Sequence, residues 1–411
     1  MKKVLATILA LVMALSLCSV SWATASASVN SADALKTAVE SSGEITLGED
    51  IEISETISVS KSVTINLNGK TITGKNGEAG RRVFNVVAGG SLTLTGSGTI
   101  TTAGNNDETF PDNSSVIRVG VNTEGAACGL VVGKDVKIIA PASYGIAVFG
   151  KNTKQTLEVS GTVTAKEASA ISGNGGAGYT ETEITINDGA TIISENNVAV
   201  YHPQAGTLTV KAANITGSGG IEIKSGRANV NVAGAYIEAT GSVDHTGNND
   251  GTSSRGYAIA VVENPGYKGA PSAVIQNGEF VGAMGILKDG EVSAEDKKGS
   301  LAISAGTFTV DVSAYATDST PVASNNGTYY VGTETIQDAA NDLSAGQQLK
   351  IEKGKVSINN VAYGQGSTYT APSTGGYYYF PTTDTKTDDA KGSPKTFDAG
   401  IALYVGMALT S

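Results

Sequence analysis

Histidines and paired carboxylates most often carry acid–base chemistry, and this chain offers few of them at a useful spacing. It has two histidines, His202 and His245, and neither stands in a Gly-His-Gly motif. The one Asp-Asp pair, Asp388-Asp389, lies in a polar stretch without strand periodicity. Glycoside hydrolysis usually needs two carboxylates that flank the scissile bond. The sequence therefore predicts a protein that is not an enzyme, with a polysaccharide-active lyase or hydrolase as the alternative.

Four aromatic side chains are the candidates for binding rather than catalysis. Tyr201, His202, Tyr257 and Tyr267 could form a ledge on which sugar rings stack, since such rings have an apolar face and a polar edge. The alternative is that they are ordinary turn or surface residues.

One loop is rich in the oxygen ligands that hard cations prefer. Residues 244–251 read Asp-His-Thr-Gly-Asn-Asn-Asp-Gly, which is compatible with Ca²⁺ but lacks EF-hand spacing, so a solvated loop is the preferred interpretation. Zinc is disfavoured, because one mature cysteine and two distant histidines do not fill a tetrahedral site. The sequence predicts no bound metal and no cofactor.

Charge and composition exclude one class of partner and favour one fold class. The formal net charge is −11, and no cluster of Lys and Arg exists that could displace counterions from a nucleic acid. Charged residues make up only 16% of the chain and Gly numbers 52. Few charges and many glycines, with abundant Thr, Val and Ile, favour an all-β protein with many tight turns.

The N-terminus has the order of a secretory signal peptide. Met1-Lys2-Lys3 is basic, Val4 to Leu17 is apolar, and Ala23-Thr24-Ala25 resembles a cleavage site, so residues 1–25 are predicted to direct secretion. Cys18 leaves with this segment. Cys128 then remains as a single cysteine, expected to be a small buried hydrophobe without a disulfide partner.

The periodicity of the chain changes after one short helix, expected at 31–40 with Ser31 as N-cap. Apolar–polar alternation follows, and its starting points at 130, 157, 184, 208 and 230 are 22 to 27 residues apart, each unit carrying three short strands. Such a repeat is one turn of a solenoid, whose stacked turns bury a continuous core. The pattern predicts a parallel β-helix over 30–330, with an antiparallel sandwich as the alternative. Polar insertions at 103–114, 242–256 and 288–299 are expected to be loops.

The remaining chain is expected to form three further parts. Residues 331–380 contain a predicted helix at 334–343 and strands at 349–351 and 356–358, and they form either a C-terminal cap or a small β domain. Residues 381–392 are polar and aperiodic, as in a flexible linker. Residues 393–411 hold a short late hydrophobic run.

Two resemblances give this pattern a family context. Residues 63–74, VTINLNGKTITG, placed after a short helix, resemble the opening turns of pectin-lyase-like right-handed β-helices. Residues 257–262 and 304–309 resemble repeats of exported adhesin-like proteins of Gram-positive gut bacteria. The resemblance covers roughly 30–335 and implies a right-handed single-stranded parallel β-helix with an N-terminal capping helix. A fold of this kind does not by itself imply an activity.

The tail resembles a sortase sorting signal. Ser393-Pro394-Lys395-Thr396 precedes an apolar stretch, which implies cleavage after Thr396 by a sortase and attachment to the cell wall. Phe397 replaces the usual glycine, and the stretch from Ala399 to Leu409 is short and has no basic end, so the signal is degenerate or truncated. A chance Pro-Lys-Thr in a polar tail is the alternative.

These observations together predict an exported, non-catalytic protein of the Gram-positive cell surface. Adhesion, or binding of surface glycans or other host or envelope ligands, is the expected function. A purely structural surface spacer is a further alternative.

Overall fold

The structure is a computed structural model that describes residues 28–75, 81–103, 114–121, 125–150, 153–174, 182–230, 234–248 and 250–373. The predicted signal peptide, the tyrosine-rich stretch at 377–380, the linker and Ser393, Pro394, Lys395, Thr396 and Phe397 lie outside these residues.

Helix α1 (Ala32–Ser41) precedes the strands, as the sequence predicted. Its N-cap is Ser31, whose Oγ accepts a hydrogen bond from the Ala34 N–H at 3.3 Å. This bond satisfies one of the backbone donors that a helix start leaves unpaired. Leu35 and Val39 are buried and join the main hydrophobic core, so the helix covers one part of that core.

In the described part of the chain sheet A has ten strands, and every neighbouring pair is parallel. In spatial order its strands are Gly43–Thr46, Ser62–Asn66, Ser91–Thr95, Gly129–Val132, Gln155–Val159, Thr182–Ile186, Thr207–Val210, Arg227–Val230, Ser272–Ile275 and Ser300–Ile303. Spatial order equals chain order, so each strand pairs with the corresponding strand of the next sequence repeat.

The register of sheet A stacks like positions on one another. Leu92 pairs with Val63 and Leu130, and the same row continues through Leu157 and Ile184. The row contains Val63, Leu92, Leu130, Leu157, Ile184, Leu208, Ala228, Ala273 and Leu301, all of them buried. Because side chains alternate across a strand, every second residue of each repeat enters this aliphatic row and its neighbours face outward.

Sheet B, as far as the residues are described, has 21 strands and contains two further parallel columns. The first holds Ile51–Ile53, Lys70–Gly74, Gly98–Thr102, Val136–Ala140, Thr162–Ala165, Tyr236–Ala239, Glu279–Val281 and Gly306–Phe308. The second holds Ile57–Val59, Phe84–Val86, Ser115–Val119, Tyr144–Val148, Ile171–Gly173, Tyr257–Glu263 and Ala283–Lys288. Two long strands, Thr191–His202 and Asn214–Ile223, belong to both columns and join them.

These long strands differ from the sequence prediction, which placed two separate strands in each of these repeats. The pairing of Thr191–His202 with Asn214–Ile223 shifts register between Ser194 and Val198, so the bend lies inside a continuous strand. Alternation alone does not reveal such a bend, because the backbone pairing continues through it.

Chain reversals between strands use residues that tolerate positive φ. Asn68 (φ 50°) and Gly69 (φ 78°) connect Ser62–Asn66 to Lys70–Gly74. The Asn68 side chain donates to the Leu47 carbonyl at 2.9 Å, which ties this turn to the preceding repeat.

The C-terminal part of sheet B is antiparallel. Gly306–Phe308 pairs with Thr328–Val331, which pairs with Val322–Asn325, followed by Gln348–Lys353 and Thr368–Thr370. Helix α2 (Thr333–Asp342) packs on the hairpin of Lys355–Ile358 and Val361–Gly364 around a second core that includes Ile336, Leu349 and Ile358. The predicted helix and both predicted strands are present here, each extended or shifted by a few residues.

Two small elements lie in the predicted insertions. Asp244–His245 and Ser254–Arg255 form a short antiparallel pair, and Glu295–Lys297 is a single 3₁₀ turn. Cys128 is buried, as expected. Among the described residues no helix is long and apolar enough to cross a membrane.

The strands described above make the protein mostly β, with long parallel sheets.

Candidate functional site

The four aromatic residues singled out in the sequence do not form an open ledge. Tyr201 and Tyr267 are each 4% exposed and His202 is fully buried, whereas Tyr257 is partly exposed. A ring stacks on a sugar only through a face that solvent can reach. Tyr201, His202 and Tyr267 are therefore interior residues that belong to the packing of the protein. The sequence did not reveal this, because the residues that cover them lie far away in the chain.

Tyr201 and Tyr267 nevertheless lie together. Their hydroxyl groups are 2.8 Å apart and hydrogen bonded. Burial raises the pKa of both phenols, and the neighbouring Glu222 raises both further. The two phenols therefore remain neutral and serve as one wall of a polar interior.

His202 is buried as the neutral imidazole. Burial lowers its pKa to about 4, and Nε2 lies 3.4 Å from the Gly206 carbonyl oxygen. Within the described structure Nδ1 has no hydrogen-bond partner. Placed without access to solvent, His202 is a poor candidate for exchanging protons with a substrate.

The loop considered for calcium meets a cation that the chain itself supplies. The ammonium group of Lys224 donates to the backbone carbonyls of Asn248 and Gly251 at 2.9 and 2.6 Å. The Lys224 side chain has no exposed surface, and its Nζ lies 5.9 and 5.8 Å from the ring centroids of Tyr201 and Tyr267. Two loop oxygens thus face a lysine, an arrangement that neither sequence interpretation anticipated.

Asp289 holds the opposite side of that lysine. Its Oδ2 lies 2.5 Å from Lys224 Nζ and 3.2 Å from Asn264 Nδ2, while Oδ1 lies 2.9 Å from His245 Nε2. Burial would raise the pKa of Asp289, but the hydrogen bonds from Lys224, His245 and Asn264 outweigh it and lower the pKa below its ordinary value. The carboxylate is therefore ionised and engaged on both oxygens.

Glu222 completes this group. Its carboxylate is fully buried, lies 3.5 Å from Lys224 Nζ, and accepts bonds from the backbone N–H groups of Ser253 and Ser254 at 2.9 to 3.0 Å. The Ser254 hydroxyl donates to it as well, at 2.6 Å. We call Glu222, Lys224, His245, Asn264 and Asp289 the buried charge cluster.

The sequence does not indicate the buried charge cluster, because Glu222 and Lys224 follow the ordinary alternation of a strand. Glu222 and Lys224 occupy alternating positions that would face solvent on an uncovered strand. They are buried because the 244–255 insertion folds over them, and alternation carries no information about such a cover. In the described part of the chain, no group of three or more His, Cys, Asp or Glu side chains is arranged to hold a metal ion.

A polar groove lies where the last parallel strands meet the C-terminal segment. It has a volume of about 820 Å³, and one wall holds Gln276, Asn277, Ser304, Ala305 and Thr307. The other wall is formed mainly by helix α2 and by Asn325, Tyr330 and Gln347. This volume lies in the range of small-molecule binding sites.

The charge of this groove has a single sign. Glu334, Asp338 and Asp342 are exposed along one face of α2, and the described residues that line the groove include no Lys, Arg or His. Burial raises the pKa of Tyr330, and the nearby Asp342 carboxylate raises it further. The groove therefore offers amides, hydroxyls and carboxylates, with one partly buried aromatic ring.

No family model, curated protein or solved structure matches this chain.

The groove must then be interpreted from its own chemistry. The sequence did not single out its residues, because polar residues at turns are common and three carboxylates spaced four apart on a helix resemble an ordinary solvated face. The available signals are the resemblance of 304–309 to a repeat and the predicted helix at 334–343, and neither indicates that the two segments meet.

Proposed function

We propose that this chain is an exported, non-catalytic right-handed parallel β-helix that binds glycans at a bacterial cell surface, with the polar groove as its binding site. The observation that carries the proposal is the groove itself, with amides, hydroxyls and a tyrosine converging in a space of about 820 Å³. Sugars are recognised by dense hydrogen bonding to such groups, together with contact between an aromatic ring and the apolar face of the sugar.

The β-helix assignment is supported by the three parallel columns. Each sequence repeat before the last contributes a strand to sheet A and strands to both columns of sheet B, and each strand pairs with the equivalent strand one repeat away. The handedness follows from the general preference of parallel crossover connections for the right-handed form. Export and wall attachment rest on the signal-peptide and sorting-signal patterns at the two ends of the sequence.

The charge of the groove narrows the ligand class. An anionic polymer such as a polyuronide would bring its carboxylates next to Glu334, Asp338 and Asp342, and no basic residue among the described lining residues compensates them. Like charges in close contact are unfavourable. Neutral glycans, and glycans that carry free amines, avoid this repulsion between like charges.

The distribution of the carboxylates favours binding over bond cleavage. All three carboxylates among the described lining residues belong to helix α2, and the lining residues of the parallel strands and their turns, such as Asn277, Ser304 and Thr307, include no carboxylate. Glycosidases of the usual kind place their two carboxylates on either side of the scissile bond. The second candidate, a polysaccharide-active enzyme, is kept because carboxylates do occur in a groove of suitable size.

A matched pair of tryptophan substitutions tests the proposal. Ser304 and Ser319 are both exposed, but only Ser304 lines the groove. The purified full chain is applied to an array of neutral, amino-sugar and uronate oligosaccharides, and hits are followed by calorimetry. We expect binding to neutral or amino sugars, a loss of at least about tenfold in affinity for Ser304→Trp, and no change for Ser319→Trp.

Each competing function gives a different result in the same assay. Equal loss of affinity in both variants would exclude the groove as the site. A blank array together with release of reducing ends or unsaturated products from polyuronides would establish the enzyme. A blank array without any cleavage would leave the chain as a structural spacer.

A further inference from the structure

Lys224 and Asp289 are in contact at the centre of the buried charge cluster. They follow two different strands, Asn214–Ile223 and Ala283–Lys288, and neither side chain has exposed surface. Their Nζ and Oδ2 atoms are 2.5 Å apart. A primary amine and a carboxyl group are thus held together in a site without bulk water.

The surrounding groups are those that condensation of the pair needs. Glu222 Oε1 lies 3.5 Å from Nζ, so a small approach would allow it to take a proton from the ammonium. His245 Nε2 and Asn264 Nδ2 contact the two oxygens of Asp289 at 2.9 and 3.2 Å. Hydrogen-bond donors placed there stabilise the negative charge that develops on oxygen when a nucleophile adds to the carboxyl carbon.

We propose that Lys224 and Asp289 condense to an intramolecular amide, which cross-links two repeats of the parallel sheets. Nζ attacks Cγ of Asp289, a C–N bond forms, and one C–O bond breaks. The ammonium gives up two protons, one of them through Glu222, and both leave with the departing oxygen as water. An ammonium and a carboxylate hold the same atoms and the same net charge as an amide and water, so the step needs no other reactant.

Burial and preorganisation of the two groups favour formation of the amide over the ion pair. Two ions withdrawn from water carry a large desolvation penalty, which a neutral amide avoids. Holding the reacting groups in contact replaces a bimolecular encounter by a unimolecular step. Glu222 loses its cationic neighbour but keeps the hydrogen bonds from Ser253 and Ser254. The amide N–H keeps the Gly251 carbonyl, now 2.6 Å from Nζ, as an acceptor.

The low cysteine content of the chain indicates what such a bond would contribute to stability. Cys128 is the one free cysteine of the described residues, and the mature sequence has no second cysteine with which to form an internal disulfide. An amide between Lys224 and Asp289 would close a covalent loop around the 244–255 insertion. Covalent closure of this kind restricts the unfolded chain and slows separation of the repeats.

Peptide mass spectrometry of the purified full chain tests the proposal without any variant. The chain is denatured in guanidinium, so that an ion pair cannot hold peptides together, and then digested with trypsin. We expect one branched peptide that joins the segments containing Lys224 and Asp289, with the summed mass of both less one water, and no cleavage after Lys224. Separate, unmodified peptides with cleavage after Lys224 would overturn the proposal.

Two comparisons within the chain sharpen the result. Lys36 and Glu55, an exposed ion pair 2.9 Å apart, serve as the internal control and should give unlinked peptides, since solvent competes for both groups. Glu222→Gln should reduce the branched peptide at least about tenfold if Glu222 relays the proton. Folding of that variant is checked by circular dichroism, and a folded Glu222→Gln protein with full cross-linking would exclude the relay.

Discussion

Lys224 donates a hydrogen bond to the carbonyl oxygen of Gly251 across 2.6 Å, so a side chain at the end of one strand secures the loop that covers it. The same ammonium binds the Asn248 carbonyl and the Asp289 carboxylate. Its position explains why a loop rich in oxygen ligands folds over the sheets: the loop supplies acceptors to a cation that is already part of the fold.

Removal of this lysine should be far more costly than removal of an exposed one. Lys224→Met removes the ion pair, or the proposed amide, between Lys224 and Asp289 and leaves two buried carboxylates without their partner, and breaking a buried pair in this way typically costs about 3–5 kcal/mol. Lys288→Met is the control, because Lys288 is 66% exposed and 3.9 Å from Glu263, and it should change stability by about 0.5 kcal/mol or less. Urea unfolding measures both, and similar losses would show that the cluster is not a stabilising centre.

His202 makes stability depend on pH between its two pKa values. Its pKa is about 4 in the folded protein, against an ordinary value of 6.5. Between these values the unfolded chain binds the proton and the folded chain does not, so the free energy of unfolding rises with pH there and is lost as pH falls. The total is on the order of 3 kcal/mol.

Replacement of His202 separates this contribution from others. His202→Gln should flatten the stability profile between about pH 4 and 6.5, whereas His245→Gln should keep the part of the slope due to His202. In protein molecules without the Lys224–Asp289 amide, Asp289, whose pKa is lowered from 3.8, loses its contribution only at more acidic pH, so the two windows do not coincide. Urea titrations at several pH values provide the measurement, and an unchanged slope in His202→Gln would contradict the assignment.

The strands could be predicted because their signal is local. Alternation in segments such as Leu157-Glu158-Val159 reports which side chains face the core, and equal spacing of the repeats reports parallel pairing. The N-cap at Ser31 was equally readable from residue type. The buried charge cluster was not, because Glu222 has the same spacing as an outward-facing residue and becomes buried only through Ser253 and Ser254, which belong to an insertion. The groove depends in the same way on contact between distant segments.

Neighbouring valines of one strand provide a direct test of the alternation. Val132 is fully buried in sheet A, while Val131, beside it, is 37% exposed. Val132→Ala should cost about 2 kcal/mol, from two lost methyl groups and the cavity they leave. Val131→Ala should cost less than about 0.5 kcal/mol. Thermal and urea unfolding compare the two, and equal costs would mean that the register of this strand is different.

The acidic wall of the groove should distinguish ligands by charge. We expect oligomers of glucosamine, which carry free amines, to bind more tightly than their N-acetylated forms, because Asp338 and Asp342 attract the amines. Each exposed pair contributes about 0.2–1 kcal/mol, so Asp338→Asn should weaken glucosamine binding about 1.4- to fivefold and leave the N-acetylated ligand unaffected. Asp318→Asn removes the same charge from an exposed site outside the groove and should change neither affinity.

Raising the salt concentration should reduce the preference for the amine, since exposed charges are screened. Calorimetry at two ionic strengths measures both effects, and a preference that survives both Asp338→Asn and high salt would show that the amine is recognised elsewhere on the protein.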